Sequence, residues 1–235
     1  MMRKISVALA VALATALVAR NQVASAGDVK LGTLKGKVTF KGSKPEKNAK
    51  DTTEKDPSSC GKDREIEKLV VADDGGVKDA VVYVKEAKGD IDPKFNKVDL
   101  DQKKCMFHGH VTFVAAGGEI VFKNSDEVAH NAKFSSSDNG TFNEQIGPNK
   151  EIPHKFPKPE IIELTCSAHT WMSGLIVVMA HPYYTASNEK GEYELKLPVG
   201  KQKIMVFQQV LGKLDKKGID VDVKEGDNKQ DFEFK

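Results

Sequence analysis

Ile161-Ile162-Glu163-Leu164-Thr165-Cys166-Ser167-Ala168-His169-Thr170-Trp171-Met172 runs from an alternating apolar segment straight into a thiol, an imidazole and a thioether. Ile162, Leu164 and Cys166 share parity, so on a strand all three point to one side. That predicts an inward-facing Cys166 at the end of a strand. Residues 175–179 follow as a continuous apolar run, read as a second, fully buried strand. The residues between them form a short loop rich in metal-binding atoms.

The rest of the chain has the same character. Val38 and Phe40 alternate with Lys37, Thr39 and Lys41. Residues 80–84 form an apolar, β-branched run that suits a strand buried on both faces. Val111 and Phe113 lead through Gly117-Gly118 to Ile120-Val121-Phe122, read as a hairpin-like unit. Tyr193, Leu195 and Leu197 alternate with Glu192, Glu194 and Lys196, and Ile219, Val221 and Val223 alternate with charged residues. Turn residues punctuate these runs at 73–76, 139–140, 189–191 and 198–200. No long segment has a helical period. The expected fold class is all-β, a Greek-key sandwich with additional strands from both ends of the chain. The expected divisions are 1–26, 27–104, 105–180 and 181–235, with residues 41–64 as a long exposed loop.

Residues 1–26 read as a signal peptide: Arg3 and Lys4, an apolar run over 5–19, then Ala24-Ser25-Ala26. The run is short for a membrane span and Arg20 interrupts it. A retained anchor is the alternative. Cleavage predicts an exported, periplasmic or otherwise extracytoplasmic chain of about 209 residues without a membrane span. The leader carries Arg3, Lys4 and Arg20 and no acid, so 36 basic residues become 33 against 34 acidic, and the net charge moves from +2 to −1. No basic footprint for nucleic acid survives. Three cysteines leave at least one unpaired, which in an exported protein calls for an explanation.

A metal supplies it. Cys166, His169 and Met172 share one loop, and His130 in Val128-Ala129-His130-Asn131 lies where an antiparallel fold could return it to that loop. Two imidazoles, a thiolate and a weak thioether are the donor set of a blue-copper site. The alternative is a buried Cys, a surface His and a core Met that are merely neighbours in sequence.

With its C-x-x-H-x-x-M loop and a His-Asn pair after a strand ending in Asn124, the segment from about 105 to 180 resembles the cupredoxins, most closely their amicyanin-like branch. The resemblance implies one copper ion, with His130, Cys166 and His169 as equatorial ligands and Met172 axial. It also implies that Asn131 ties the two ligand loops by hydrogen bonding. Trp171 is read as an apolar cover beside a partly exposed His169, where a redox partner docks, or else as simple packing against Leu175 or Pro182. In exported chains of this kind Cys60 and Cys105 are expected to pair, clamping the 41–64 loop to the copper segment. The alternatives are free thiols, or a second metal site within Cys105-Met106-Phe107-His108-Gly109-His110. His154 and His181 are read as ordinary surface or turn histidines. The stretch His181-Pro182-Tyr183-Tyr184, the Asn188-to-Leu195 turn and Leu197-Pro198-Val199-Gly200 resemble transthyretin-like, carboxypeptidase-regulatory-type β modules, which residues 36–40 and 77–84 also suit.

No acid/base dyad or nucleophile–base spacing stands out, so the expectation is a one-electron carrier and not an enzyme. The alternatives are a copper delivery or storage module, and a structural module with a vestigial site.

Overall fold

Two apolar patterns sort the strands, and each has its own place in the molecule. The computed structural model describes residues 29–43, 50–51, 55–62, 64–65 and 67–235; the expected leader lies outside them. Alternating strands keep one wet face. Glu192–Pro198 buries Tyr193, Leu195 and Leu197 and exposes Glu192, Glu194 and Lys196. The continuous runs Val81–Val84 and Ser173–Met179 lie between two cores and are wet on neither face. The fold is all-β, as expected; the helical elements among the described residues are the short turns Pro57–Cys60 and Pro93–Asn96.

One sandwich is built from both ends of the chain. Leu31–Phe40 pairs antiparallel with Glu192–Pro198 and parallel with Gly226–Lys229 and Phe232–Phe234. The facing sheet sets Val81–Val84 between Tyr184–Ala186 and Gly200–Gln208, and Gly200–Gln208 also pairs with Ile219–Val223. Leu34, Val38, Val82, Val84, Leu195, Ile204, Val206 and Phe232 fill the space between them. The Asn188–Gly191 turn locks its edge. Asn188 Oδ1 accepts the Lys190 and Glu192 N–H groups at 2.9 and 3.0 Å. Gly191 takes φ +76°, and a Cβ there would lie 2.4 Å from the Val38 carbonyl oxygen, so no other residue fits.

The middle of the chain makes the second sandwich. One sheet runs Gly140–Ile146, His130–Ser136, Glu160–Thr165, Ser173–Met179, Val111–Ala115. The other runs Glu151–Phe156, Gly118–Asn124, Lys97–Lys103, Met106–Phe107. Phe107, Ile120, Phe122, Phe134, Phe156, Ile162, Leu164 and Ile176 interdigitate between them. The hairpin expected across Gly117-Gly118 is not one. Val111–Ala115 pairs with Ser173–Met179 while Gly118–Asn124 pairs with Lys97–Lys103 and Glu151–Phe156. The glycine turn carries the chain across from one sheet to the other, because each flanking strand buries residues against the core that the two sheets share.

A third apolar cluster joins the sandwiches: Val81 meets Leu175, Val177 and Met179. Ile176 and Val178, of opposite parity, face the other way into the second core. That is why this strand reads as an unbroken apolar run.

His181 and His154 are not surface residues. His181 is buried; its Nε2–H donates to the Val84 carbonyl at 3.0 Å, and its Nδ1 accepts the Tyr183 N–H at 3.2 Å. Burial pushes its pKa below the ordinary imidazole value, against the pull of the Val84 carbonyl. His154 sits half-buried among Phe134, Phe142 and Phe156 and is also shifted down by burial. The unfolded chain therefore takes up protons first as pH falls through about 6.5. Stability present above that pH is expected to be lost below it. Thermal unfolding of His181→Asn between pH 7.5 and 5 should show a shallower slope than the parent; an unchanged slope would remove His181 from the account.

Candidate metal centre

Cys166 follows directly on Glu160–Thr165, and Ser173–Met179 returns antiparallel with Thr165 opposite Ser173. The loop between is therefore closed at its base by a strand pair. Its turn is held by the Met172 N–H, which donates to the His169 carbonyl at 3.0 Å. His130 opens the neighbouring strand His130–Ser136, which meets the Cys166 strand at Lys133 and Thr165. Strand pairing thus returns His130 to the loop across 36 residues of sequence.

Cys166, His130 and His169 come together with one donor atom from each within 4.8 Å of the others. The two Nδ1 atoms are 2.9 Å apart, and Cys166 Sγ lies 3.8 Å from His169 Nδ1. Both imidazoles are 0% exposed and Cys166 4%. Both separations are shorter than two ordinary metal bonds placed end to end, about 2.0–2.1 Å to nitrogen and 2.3 Å to sulfur. On those two separations one ion can reach both nitrogens, or the sulfur and His169 Nδ1.

The outer edges of the rings decide what the centre wants. His130 Nε2 lies 2.8 Å from Asp126 Oδ2, and His169 Nε2 lies 2.9 Å from Asp56 Oδ2. A carboxylate only accepts, so each Nε2 donates a proton and each ring turns its Nδ1 inward. Two imidazole nitrogens 2.9 Å apart beside a thiol suit a cation between them, either a proton or a metal ion. Cys166 sharpens that demand. Burial pushes its thiol up, but hydrogen bonding with the His169 side chain and to the N–H groups of Asn131, His169 and Ala168 outweighs it and holds the pKa below the ordinary thiol value. The donor set is thiolate plus two carboxylate-braced imidazoles, which suits a soft or borderline transition ion.

Asn131 bonds toward the Cys166 loop from both its backbone and its side chain. Its backbone N–H donates to Cys166 Sγ at 3.2 Å. Its side chain donates to Asn143 Oδ1 at 3.2 Å, which also accepts the Ser167 hydroxyl at 3.3 Å. Met172 is fully buried in the same core. Trp171 is buried too, with its ring centroid 4.8 Å from that of His169 and its Nε1–H donating to the Cys105 carbonyl at 2.9 Å. The expected partial exposure of His169 is therefore corrected. Neither side chain reaches solvent, and Asp56 and Cys60 lie against His169.

That cover is held covalently. Cys60 and Cys105 form a disulfide across 45 residues of sequence. It brings Cys60 Sγ within 3.9 Å of His169 Nε2 and sets Asp56, at the head of the Pro57–Cys60 turn, onto the same nitrogen. The turn from Asp56 to Cys60 is thus a lid over the centre; residues 44–49, 52–54 and 63 lie outside the described residues. With its thiol in the disulfide, Cys105 is closed as a ligand for a second metal.

Reading the sequence missed Asp126, Asp56 and Asn143. Asp126 had a local signal, four residues before His130 and just after a strand end. Asp56 and Asn143 had none, since their roles arise only from the disulfide and from the pairing of Gly140–Ile146 with His130–Ser136.

No family model matches the chain, and no curated protein matches it. Solved structures similar to it are cupredoxins, at low identity and over part of its length. A purple cupredoxin from Nitrosopumilus maritimus is 18% identical over 35% of this chain and 99% of its own, with a TM-score of 0.31. Amicyanin from Paracoccus versutus is 18% identical over 42% of this chain and 97% of its own, with a TM-score of 0.33. A copper-containing nitrite reductase from Thermus scotoductus is 21% identical over 41% of this chain and 25% of its own, with a TM-score of 0.34. Among the described residues no helix is long and apolar enough to cross a membrane.

Proposed function

We propose that the chain is an exported mononuclear type 1 copper protein that carries single electrons, with His130, Cys166 and His169 as strong ligands and Met172 as the weak axial one. The observation that carries this reading is the buried thiol flanked by two imidazoles whose outer nitrogens are each held by a carboxylate. When bound, copper would supply a one-electron couple between its cuprous and cupric states. The chain supplies the rest. Asp126 and Asp56 fix ring tautomer and orientation. The Asn131 and Ala168 N–H groups favour the thiolate, and the strand pair at Thr165 and Ser173 keeps the loop from relaxing between states. Residues 97–179 are the copper-binding sandwich in this reading. Residues 31–84 and 183–234 together are a transthyretin-like module, supported by their shared core.

A second reading has one specific observation in its favour. His169 is sealed under Asp56 and Cys60, which leaves no imidazole edge in solvent for electron transfer to a docked partner. A delivery or storage module that holds copper as cargo would tolerate that seal.

Adding cupric ion to the mature protein and recording visible and electron paramagnetic resonance spectra tests the carrier reading. An intense thiolate-to-copper band and a reversible one-electron couple are expected, both absent in Cys166→Ser. A Cys166→Ser protein that coloured identically would sink the ligand assignment. Tight cuprous binding that is surrendered to a chelating acceptor, without the visible band, would favour delivery.

A further inference from the structure

A second group of metal-binding atoms lies behind the first. Cys105, Asp126 and His130 each bring one donor atom within 4.8 Å of the other two. The group uses the outer edge of a ring whose inner edge serves the proposed centre: His130 Nε2 lies 2.8 Å from Asp126 Oδ2, while Nδ1 faces His169. Strand ends bring the three together. Cys105 sits in the turn between Lys97–Lys103 and Met106–Phe107, Asp126 follows Gly118–Asn124, and His130 opens His130–Ser136. Cys105 and His130 are fully buried, and the Asp126 side chain nearly so.

One bond closes this group to metal: Cys105 Sγ is joined to Cys60 Sγ. The rest of it is already built. The Cys105 N–H donates to Asp126 Oδ2 at 2.7 Å, and its carbonyl accepts the Trp171 Nε1–H at 2.9 Å. Neither bond involves the sulfur, so both keep Cys105 in place when the disulfide is cleaved. Lys104 beside it is exposed and meets the group through its backbone N–H, 2.6 Å from Asp126 Oδ1. The closing bond also brings a fourth donor. The Cα atoms of Cys60 and Cys105 are 5.2 Å apart, and two thiolates on one tetrahedral ion, each at about 2.3 Å, stand about 3.8 Å from one another. After cleavage the two sulfurs need only part to hold an ion between them.

We propose that reduction of the Cys60–Cys105 disulfide opens a second metal site, which takes zinc through Cys105, Cys60, His130 and Asp126. A dithiol supplies the electrons. One of its thiolates attacks Cys60 Sγ, the more exposed of the two sulfurs; the Cys60–Cys105 bond breaks and Cys105 leaves as a thiolate. The second sulfur of the dithiol then closes on the first and releases Cys60 as a thiolate. Two electrons have passed to the protein, the dithiol ends as its own disulfide, and its two protons are released as the thiolates take the metal. Two thiolates, an imidazole and a carboxylate form a four-coordinate set of the kind zinc takes. His130 presents Nε2 by carrying its proton on Nδ1, so the two sites compete for this ring and the second fills best when the first is empty.

The site does not rest on the copper reading, and its test is run without the copper thiolate. In Cys166→Ser, the sulfurs of Cys60 and Cys105 are the only ones that can give cobalt, as a substitute for zinc, a thiolate charge-transfer band. The band should be absent while the disulfide is intact. It should appear after anaerobic reduction with dithiothreitol and removal of the reductant, and added zinc should abolish it. Cys60→Ser combined with Cys166→Ser cannot form the disulfide and should give the band with no reductant at all. Asp126→Asn in the Cys166→Ser background should weaken the reduced-form site roughly 10- to 100-fold, with its oxidised form melting cooperatively as proof of folding. The proposal is overturned if two free thiols are counted after reduction and no band forms. It is equally overturned if Asp126→Asn keeps full affinity, which would mean that the dithiol binds metal by itself, or if the disulfide resists the reductant until the protein unfolds.

Discussion

Asp126→Ala is expected to cost the metal-free protein about 1–3 kcal/mol for each buried donor it leaves without an acceptor. The carboxylate serves three donors at once. Oδ1 accepts the Lys104 N–H at 2.6 Å, while Oδ2 accepts the Cys105 N–H at 2.7 Å and faces His130 Nε2 at 2.8 Å. Lys104 and Cys105 both take positive φ, +53° and +56°, a conformation that costs non-glycine residues of order 1–3 kcal/mol each and persists only when something holds it. Asp126 does the holding, and it is itself fixed by donating its N–H to Asn124 Oδ1. The side chain is only 10% exposed, so water cannot replace it. Asp126→Asn keeps the shape but loses acceptors, and should weaken metal binding roughly 10- to 100-fold at smaller cost to the fold. Urea unfolding and metal titration read the two effects separately. An alanine variant within ~0.5 kcal/mol of the parent, the range of an ordinary surface substitution, would show that Asp126 holds nothing.

Replacing both Cys60 and Cys105 by alanine should have the next largest effect. Closing a loop of this length is worth about 4 kcal/mol of chain entropy in the unfolded state. The loss should appear as a lower unfolding midpoint. A second consequence follows from position. The bond pins Asp56 and Cys60 over His169, so without it the lid is held only by weaker contacts and His169 Nε2 meets solvent. The double variant should release its metal to a chelator faster than the parent while keeping the visible band, since Cys166 is untouched. Equal release rates would mean that the lid closes the centre unaided.

What the sequence made legible was periodicity and chemistry; what it hid was contact. Ile162, Leu164 and Cys166 are all buried in one core, as their shared parity predicts. The unbroken apolar runs read at 80–84 and 175–179 lie in strands packed on both faces. The Gly117-Gly118 turn misled because period and turn residues look the same whether a chain folds back on its own sheet or crosses to the facing one. His181 misled because a histidine beside a proline looks like a turn, and nothing local announces that Val84 and Tyr183 will satisfy both its nitrogens. The clustering of Cys166, His130 and His169 was open to sequence because strand pairing places them. The lid was not, because a disulfide sets it from outside the strand pattern.

The strand Ser173–Met179 begins directly after Met172 and is gripped on both faces. Ile176 and Val178 are wedged into one core while Leu175, Val177 and Met179 are seated against the other. Its consequence is mechanical. A one-residue slip would exchange the two sets, so the strand behaves as a rail that can neither slide nor roll. The end-built sandwich, which contributes none of the three clustered donors, works as a splint: the stiffness of the loop from Cys166 to Met172 is borrowed in part from Val81, 85 positions before Cys166 in sequence.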